Sequence, residues 1–339
     1  MRLPALLGVA VLALSAPVRA DHPTGGVAGG AIGPINALSA TTMNEGWWGL
    51  ALRYERIDLE RHSNAELIDF SNDGEEVDSI NYIEVASLSI GYGVTDFVTV
   101  GARLPYSAQR TLRESDGAGG IEDVGDVDGL GDLAVYSQWR FFSEAYDDEG
   151  NALDAAVLAG LELPTGADRE HADGELLEAD HQPGSGTIDP FLGFVVTRSF
   201  ERASLSADVI YTKATQGSQR TNLGDIFEYD LAWTYRLGEA VRTHEFHEDG
   251  TVHVHGTATH QWDSVVELNG TWKEEVHSDA EGDDSDTGGN RIMFAPGVRY
   301  TTDTHMSWYL SYAVPVLQNL NGHEHKTDNS LVLGMSWGF

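Results

Sequence analysis

The 339-residue sequence predicts an all-β fold: a transmembrane antiparallel β-barrel of about 12 strands with both termini periplasmic. Three observations predict it. The chain opens on a secretory signal, it alternates apolar with polar or small residues along nearly its whole length, and its last alternating run closes on an aromatic carboxy-terminal residue.

The first twenty residues, MRLPALLGVAVLALSAPVRA, carry one early arginine, an apolar run and a short tail ending in Ala20, the pattern of a signal peptide cleaved after that alanine. No later apolar run approaches the roughly 18 residues a spanning helix needs, so any crossing is made by strands. The chain divides into residues 1–20, the signal, residues 21–45, a Gly- and Ala-containing segment, and residues 46–339, the barrel. Twenty Lys and Arg against 54 Asp and Glu give a net charge of −34, which excludes a nucleic-acid partner. With no cysteine, disulfides and thiolate chemistry are excluded as well.

Twelve runs follow in order, near residues 46–56, 80–92, 96–107, 131–142, 154–164, 188–199, 203–214, 225–237, 261–273, 290–301, 305–316 and 329–339. FEYDLAWTYRL is the clearest: Phe227, Tyr229, Leu231, Trp233, Tyr235 and Leu237 share one face, Glu228, Asp230, Ala232, Thr234 and Arg236 the other. WDSVVELNGTWK sets Trp262, Val266, Leu268 and Trp272 against Asp263, Glu267, Asn269 and Lys273. RIMFAPGVRY sets Ile292, Phe294, Val298 and Tyr300 against Arg291 and Arg299. Aromatics gather at run ends, as interfacial girdles require. An even number of strands closes with both ends on one side, and in lipid only closure satisfies every backbone donor and acceptor.

The terminal LVLGMSWGF puts Leu331, Leu333, Met335, Trp337 and Phe339 on one face, which resembles the signal read by the outer-membrane barrel assembly machinery. The partners expected are that machinery, outer-membrane lipid and a small solute. With the C-terminus periplasmic, the short connections GVTD, FERA and TDTH are periplasmic turns, and the acidic stretches 57–79, 108–130, 165–187, 274–289 and 317–328 are extracellular loops. Residues 21–45 are too few for a folded hatch domain; their composition suits a flexible segment that threads the lumen and equally a plain terminus.

The stretches GYGVTDFVTVGARLPY (91–106), DGLGDLAVYSQWRF (128–141), GLELPTG (160–166) and QPGSGTIDPFLG (182–193) resemble the outer-membrane barrel "transporter" family of the meta-pathway of phenol degradation type. The resemblance implies a channel for small, hydrophobic or aromatic solutes and assigns no functional residues.

The inward set contains Arg103, Arg140, Glu162, Asp189, Asp208, Glu228, Asp230, Arg236, Glu267, Lys273, Arg291 and Arg299, which either form a selectivity constriction or pair to brace the wall. No enzyme is expected. A barrel lipase needs a Ser and a His on the lipid face, and His305 shares parity with Ser307 and Tyr309, the lumen set. SDAEGDDSDTGGN is acidic but lacks the spacing of a Ca²⁺ loop, and the Gly-rich 117–132 lacks the context of a phosphate loop.

THEFHEDGTVHVHGTATH, inside the connection 238–260, is the exception to short periplasmic turns. A two-residue turn at Asp249-Gly250 pairs His247 with Val252, Phe246 with His253 and His244 with His255, bringing His244, His253 and His255 to one face. With His247, His260 and the mature terminus at His22 nearby, this is a candidate Zn²⁺ or Cu²⁺ site, whereas the barrel itself requires no cofactor; the alternatives are adventitious affinity and a pH switch.

Overall fold

The computed structural model describes residues 33–73, 77–116, 118–144, 151–172, 175–238, 242–246, 252–256, 260–279 and 282–339. The leader 1–20 and His22 lie outside them.

Twelve strands close into a barrel: β1 (Trp48–Leu59), β2 (Tyr82–Thr95), β3 (Val98–Ser115), β4 (Leu133–Ser143), β5 (Ala152–Leu163), β6 (Asp189–Ser199), β7 (Ala203–Thr212), β8 (Ile226–Leu237), β9 (His260–Lys273), β10 (Gly289–Thr302), β11 (Met306–Leu320) and β12 (Thr327–Gly338). Each pairs antiparallel with its neighbours in sequence, and β1 pairs β12 from Gly49↔Gly338 to Leu59↔Thr327, closing the sheet.

Alternation decides which way each side chain faces. On β8 the residues Phe227, Leu231, Trp233, Tyr235 and Leu237 are exposed on the outside, whereas Glu228, Asp230, Ala232, Thr234 and Arg236 are buried within. Such a wall is the inverse of a soluble sandwich. Its apolar band meets lipid, and its polar groups are sealed inside where each must find a partner. No helix of the described residues is long and apolar enough to cross a membrane.

The connections at Gly93–Phe97, residues 200–202 and residues 303–305 are short and share one barrel end with the start of β1 and the end of β12, where Trp48 N–H donates to the Phe339 carbonyl at 2.8 Å. Long connections crowd the other end. His305 lies in the turn before β11 at φ 59°, its ring edge-on to Trp47 at 5.0 Å, and not on the inner wall as strand parity suggested. Two loops are more ordered than their composition announces. β3 runs on to Ser115 and pairs with a further strand, Ile121–Leu130, so the stretch 108–130 is chiefly a hairpin. Its Leu112 and Val127, with Val124, pack against Ile57, Leu59, Ile80 and Ile83, but their spacing does not alternate, so the strand pattern does not announce it. Asn64–Asp73 forms a helix opened by a capping box: Ser63 N–H donates to Glu66 Oε2 at 2.8 Å and Glu66 N–H to Ser63 Oγ at 3.3 Å.

Candidate functional site: the occupied lumen

Residues 33–40 are buried inside the barrel, and the inner wall is built to hold them. The Glu267 carboxylate accepts the backbone N–H of Ile35 at 2.8 Å, of Asn36 at 3.0 Å and of Ala37 at 3.2 Å, and the Asn36 side-chain amide at 2.7 Å. Asp208 accepts Leu38 N–H at 2.8 Å, Thr197 Oγ1 accepts Ala40 N–H at 2.9 Å, and Thr99 Oγ1 accepts Met43 N–H at 2.8 Å. In return Arg53 donates to the Ile35 carbonyl and Asn36 Oδ1, Arg299 to the Pro34 carbonyl, and Gln138 to the carbonyls of Ser39 and Thr41. A strandless segment has a full set of orphan backbone groups, and here the wall supplies the partners. Apolar contacts fix the register. Ile35 packs with Val265, Tyr309 and Val332, and Leu38 and Ala40 with Leu158, Val195 and Ile210. Gly297 makes the first possible, since a Cβ there would lie 2.7 Å from Ile35 Cδ1.

The predicted inward residues all lie on this wall or at the cavity beyond it, in differing company. Glu267, Asp208 and Arg299 hold the segment. Arg236 pairs with Asp263 at 3.1 Å and Arg140 faces Asp154 at 3.5 Å, bracing neighbouring strands. Asp189 accepts Thr215 N–H and Asp230 accepts Gly270 N–H. Arg103, buried, lies in the field of Glu55, Glu162 and Glu228. Arg291 donates to Thr327 Oγ1 at 2.6 Å, and with Lys273 and Glu162 it lines the cavity. Residues outside that set matter as much: Arg53 and Glu55 form a 3.0 Å pair, each about 5% exposed or less. Their parity on the first alternating run could have found them.

Above the segment, toward the long loops, lies a cavity of about 630 Å³ lined by Leu59, Ile80, Ile83, Arg103, Lys273 and His181 among others. It reaches the wall at a weak seam. The β3–β4 ladder has six pairs, from Val98↔Trp139 to Arg103↔Ala134, the fewest of any barrel ladder; beyond it β3 turns to its own loop strand. Three loop glycines close on one another there. A Cβ on Gly166 would lie 2.7 Å from Gly184 Cα and 2.8 Å from the Gly131 carbonyl carbon. Asp132 pins them, accepting Thr165 N–H (3.0 Å), Gly166 N–H (2.9 Å), Ser185 N–H (2.7 Å) and Ser185 Oγ–H (2.6 Å). DGLGD, LPTG and QPGSG are thus one structural knot.

In the long 238–260 connection, residues 242–246 pair with 252–256 as a hairpin, one register step from the expectation. His244 is opposite Val254, Glu245 opposite His253 and Thr243 opposite His255, so His244 does not share the parity of His253 and His255. His247 lies outside the described residues. His260 Nδ1 meets the hydroxyl of Tyr300.

Residues 76–264 match the family described as "Putative MetA-pathway of phenol degradation". Among solved structures, the chain is similar to the COG4313 outer membrane channel from Pseudomonas putida F1, at 16% identity and a TM-score of 0.56 over 88% of this chain and 98% of that one. The CymD monoaromatic hydrocarbon channel, at 12% identity over 93% of this chain and 96% of that one, has a TM-score of 0.38. The outer membrane phospholipase A from Escherichia coli, at 9% identity over 86% and 97%, has one of 0.34. No curated protein matches in sequence.

Proposed function

The chain belongs to the family described as "Putative MetA-pathway of phenol degradation", and from that premise and the barrel's own interior we propose that it is an outer-membrane channel for small hydrophobic or aromatic solutes. The observation that carries the reading is the segment in the lumen. Residues 33–43 are held by hydrogen bonds from several strands, so they form a removable stopper beneath a cavity. The barrel stands with its long loops outside the cell and its short turns in the periplasm, and the stopper then closes the path from the periplasmic half.

Polar and apolar walls divide the cavity. Leu59, Ile80, Ile83 and Pro105 give an aromatic ring a dry surface, and Arg103, Lys273 and Arg291 offer donors to a hydroxyl or carboxylate carried on that ring. The short β3–β4 ladder beside Pro105 and Gly131 is the place where an apolar molecule has the least backbone pairing to cross on its way to lipid.

Liposomes carrying the purified protein test this. Phenol and benzoate should permeate faster than through protein-free vesicles, and faster still through a variant lacking residues 33–43. Vesicles no more permeable than protein-free ones even with that deletion would rule the reading out.

A further inference from the structure

The mouth of the cavity holds a second constellation, unconnected with the stopper. Glu178, Asp180 and His181, on the β5–β6 loop, bring a carboxylate oxygen each and an imidazole nitrogen within 4.8 Å of one another. Asp78, from the β1–β2 loop, and His325, from the β11–β12 loop, stand against them, and all five line the cavity.

The histidine decides what this group is. His181 Nδ1 lies 3.1 Å from Gln109 Oε1, and Gln109, buried on β3, can only accept there, so Nδ1 carries the proton. The ring is 13% exposed, and its other nitrogen, Nε2, has Asp78 Oδ2 at 3.6 Å, too far for a hydrogen bond. The carbonyl behind Nδ1 is the orienting contact that metal-bound histidines commonly keep. His325 Nε2, 3.2 Å from both Asp78 oxygens, fixes that carboxylate from behind, and its own buried Nδ1 has no protein partner.

We propose that Glu178, Asp180 and His181 bind a divalent transition-metal ion at the cavity mouth, with Asp78 standing beside the imidazole. An imidazole among carboxylates favours Zn²⁺ over the oxygen-seeking Ca²⁺ and Mg²⁺. Charge points the same way. Glu178 and Asp180 make no ion pair with Lys or Arg among the described residues. A dication would neutralise that excess over the cavity.

The test uses the folded, full-length protein in detergent, stripped with chelator and titrated with Co²⁺ and then Zn²⁺. One equivalent of Co²⁺ should give the intense visible absorption of a tetrahedral site, and Zn²⁺ should displace it. His181→Asn should weaken that equivalent at least tenfold, whereas His244→Ala/His253→Ala/His255→Ala, in the hairpin at the opposite end, should leave it in place. Where His181→Asn fails to fold, Glu178→Gln, on the most exposed of the three ligands, carries the same expectation. Binding equal to wild type in either cavity variant, or loss confined to the hairpin variant, would overturn the proposal.

Discussion

Asn36 gives Glu267 both its backbone N–H, at 3.0 Å, and its side-chain amide, at 2.7 Å, across 231 positions of sequence. That double contact centres the stopper, with Ile35 and Ala37 donating to the same carboxylate. Hydrogen bonds to a charged group contribute about 1.5–3 kcal/mol each, so Glu267→Ala should weaken docking by about 3 kcal/mol, roughly a hundredfold in the docked-to-free ratio. Planar-bilayer recordings should show long openings at a conductance close to that of the variant lacking residues 33–43. Traces like wild type would mean that Glu267 does not hold the stopper.

The contrast between β8 and this segment shows what a sequence makes legible. Phe227 to Leu237 alternate because lipid and lumen impose opposite chemistry on successive residues, so strand and facing can be read directly. Residues 33–43 follow no period, and their partners Thr99, Thr197, Asp208 and Glu267 belong to strands far along the chain. Both lumen and terminus suit such a segment when only local pattern is available. The metal cluster was hidden for a different reason: Glu178, Asp180 and His181 sit together in one acidic loop among several, and only the fold sets Asp78 and His325 against them. The helix Asn64–Asp73 is different: Ser63-Asn-Ala-Glu66 is a capping box that the sequence carries openly.

The knot around Asp132 ties together DGLGD, LPTG and QPGSG, three stretches far apart in the chain. Gly184→Ala places a Cβ 2.7 Å from the backbone of Gly166, which cannot swing aside as a flexible side chain would. Overpacking of this kind costs about 1–3 kcal/mol, and Asp132→Ala, which strands the N–H groups of Thr165, Gly166 and Ser185, should cost at least as much. Both variants should lose the folded form at lower temperature in heat-modifiable gel migration. A midpoint unchanged for Asp132→Ala would show that the knot is not held by its carboxylate.

Arg236 and Asp263, 3.1 Å apart and 3% and 0% exposed, form a pair whose members are worth more together than either is alone. Arg236→Met leaves the Asp263 charge without its hydrogen-bonding cation and should destabilise the barrel by about 3–5 kcal/mol. Arg236→Met/Asp263→Leu should recover most of that loss, because the desolvation of both charges is removed with their attraction. Urea midpoints of the four proteins form the cycle, and a double variant no more stable than Arg236→Met would contradict it.

Asp78 and His325, 3.2 Å apart, tie the β1–β2 loop to the β11–β12 loop, and the tie should depend on pH in a definite sense in metal-stripped protein. Burial alone would raise the Asp78 carboxyl, but the charges of His325 and His181 outweigh it and hold it well below the usual range. Burial alone would lower His325, but Asp78, with Glu324 and Asp180 beyond it, raises it. A raised histidine contributes stability that is complete below its unfolded value near 6.5 and is lost as pH rises through the folded value; a depressed aspartate contributes stability present above about 3.9 and lost as pH falls through its own. The latch should therefore be strongest between about pH 4 and 6.5 and loosen above neutrality. Amide hydrogen exchange at residues 77–81 and 323–327, corrected for its intrinsic pH dependence, should show protection falling above pH 7, and Asp78→Asn should abolish the change. Protection that rises with pH, or the same profile in Asp78→Asn, would show that this ion pair does not close the mouth.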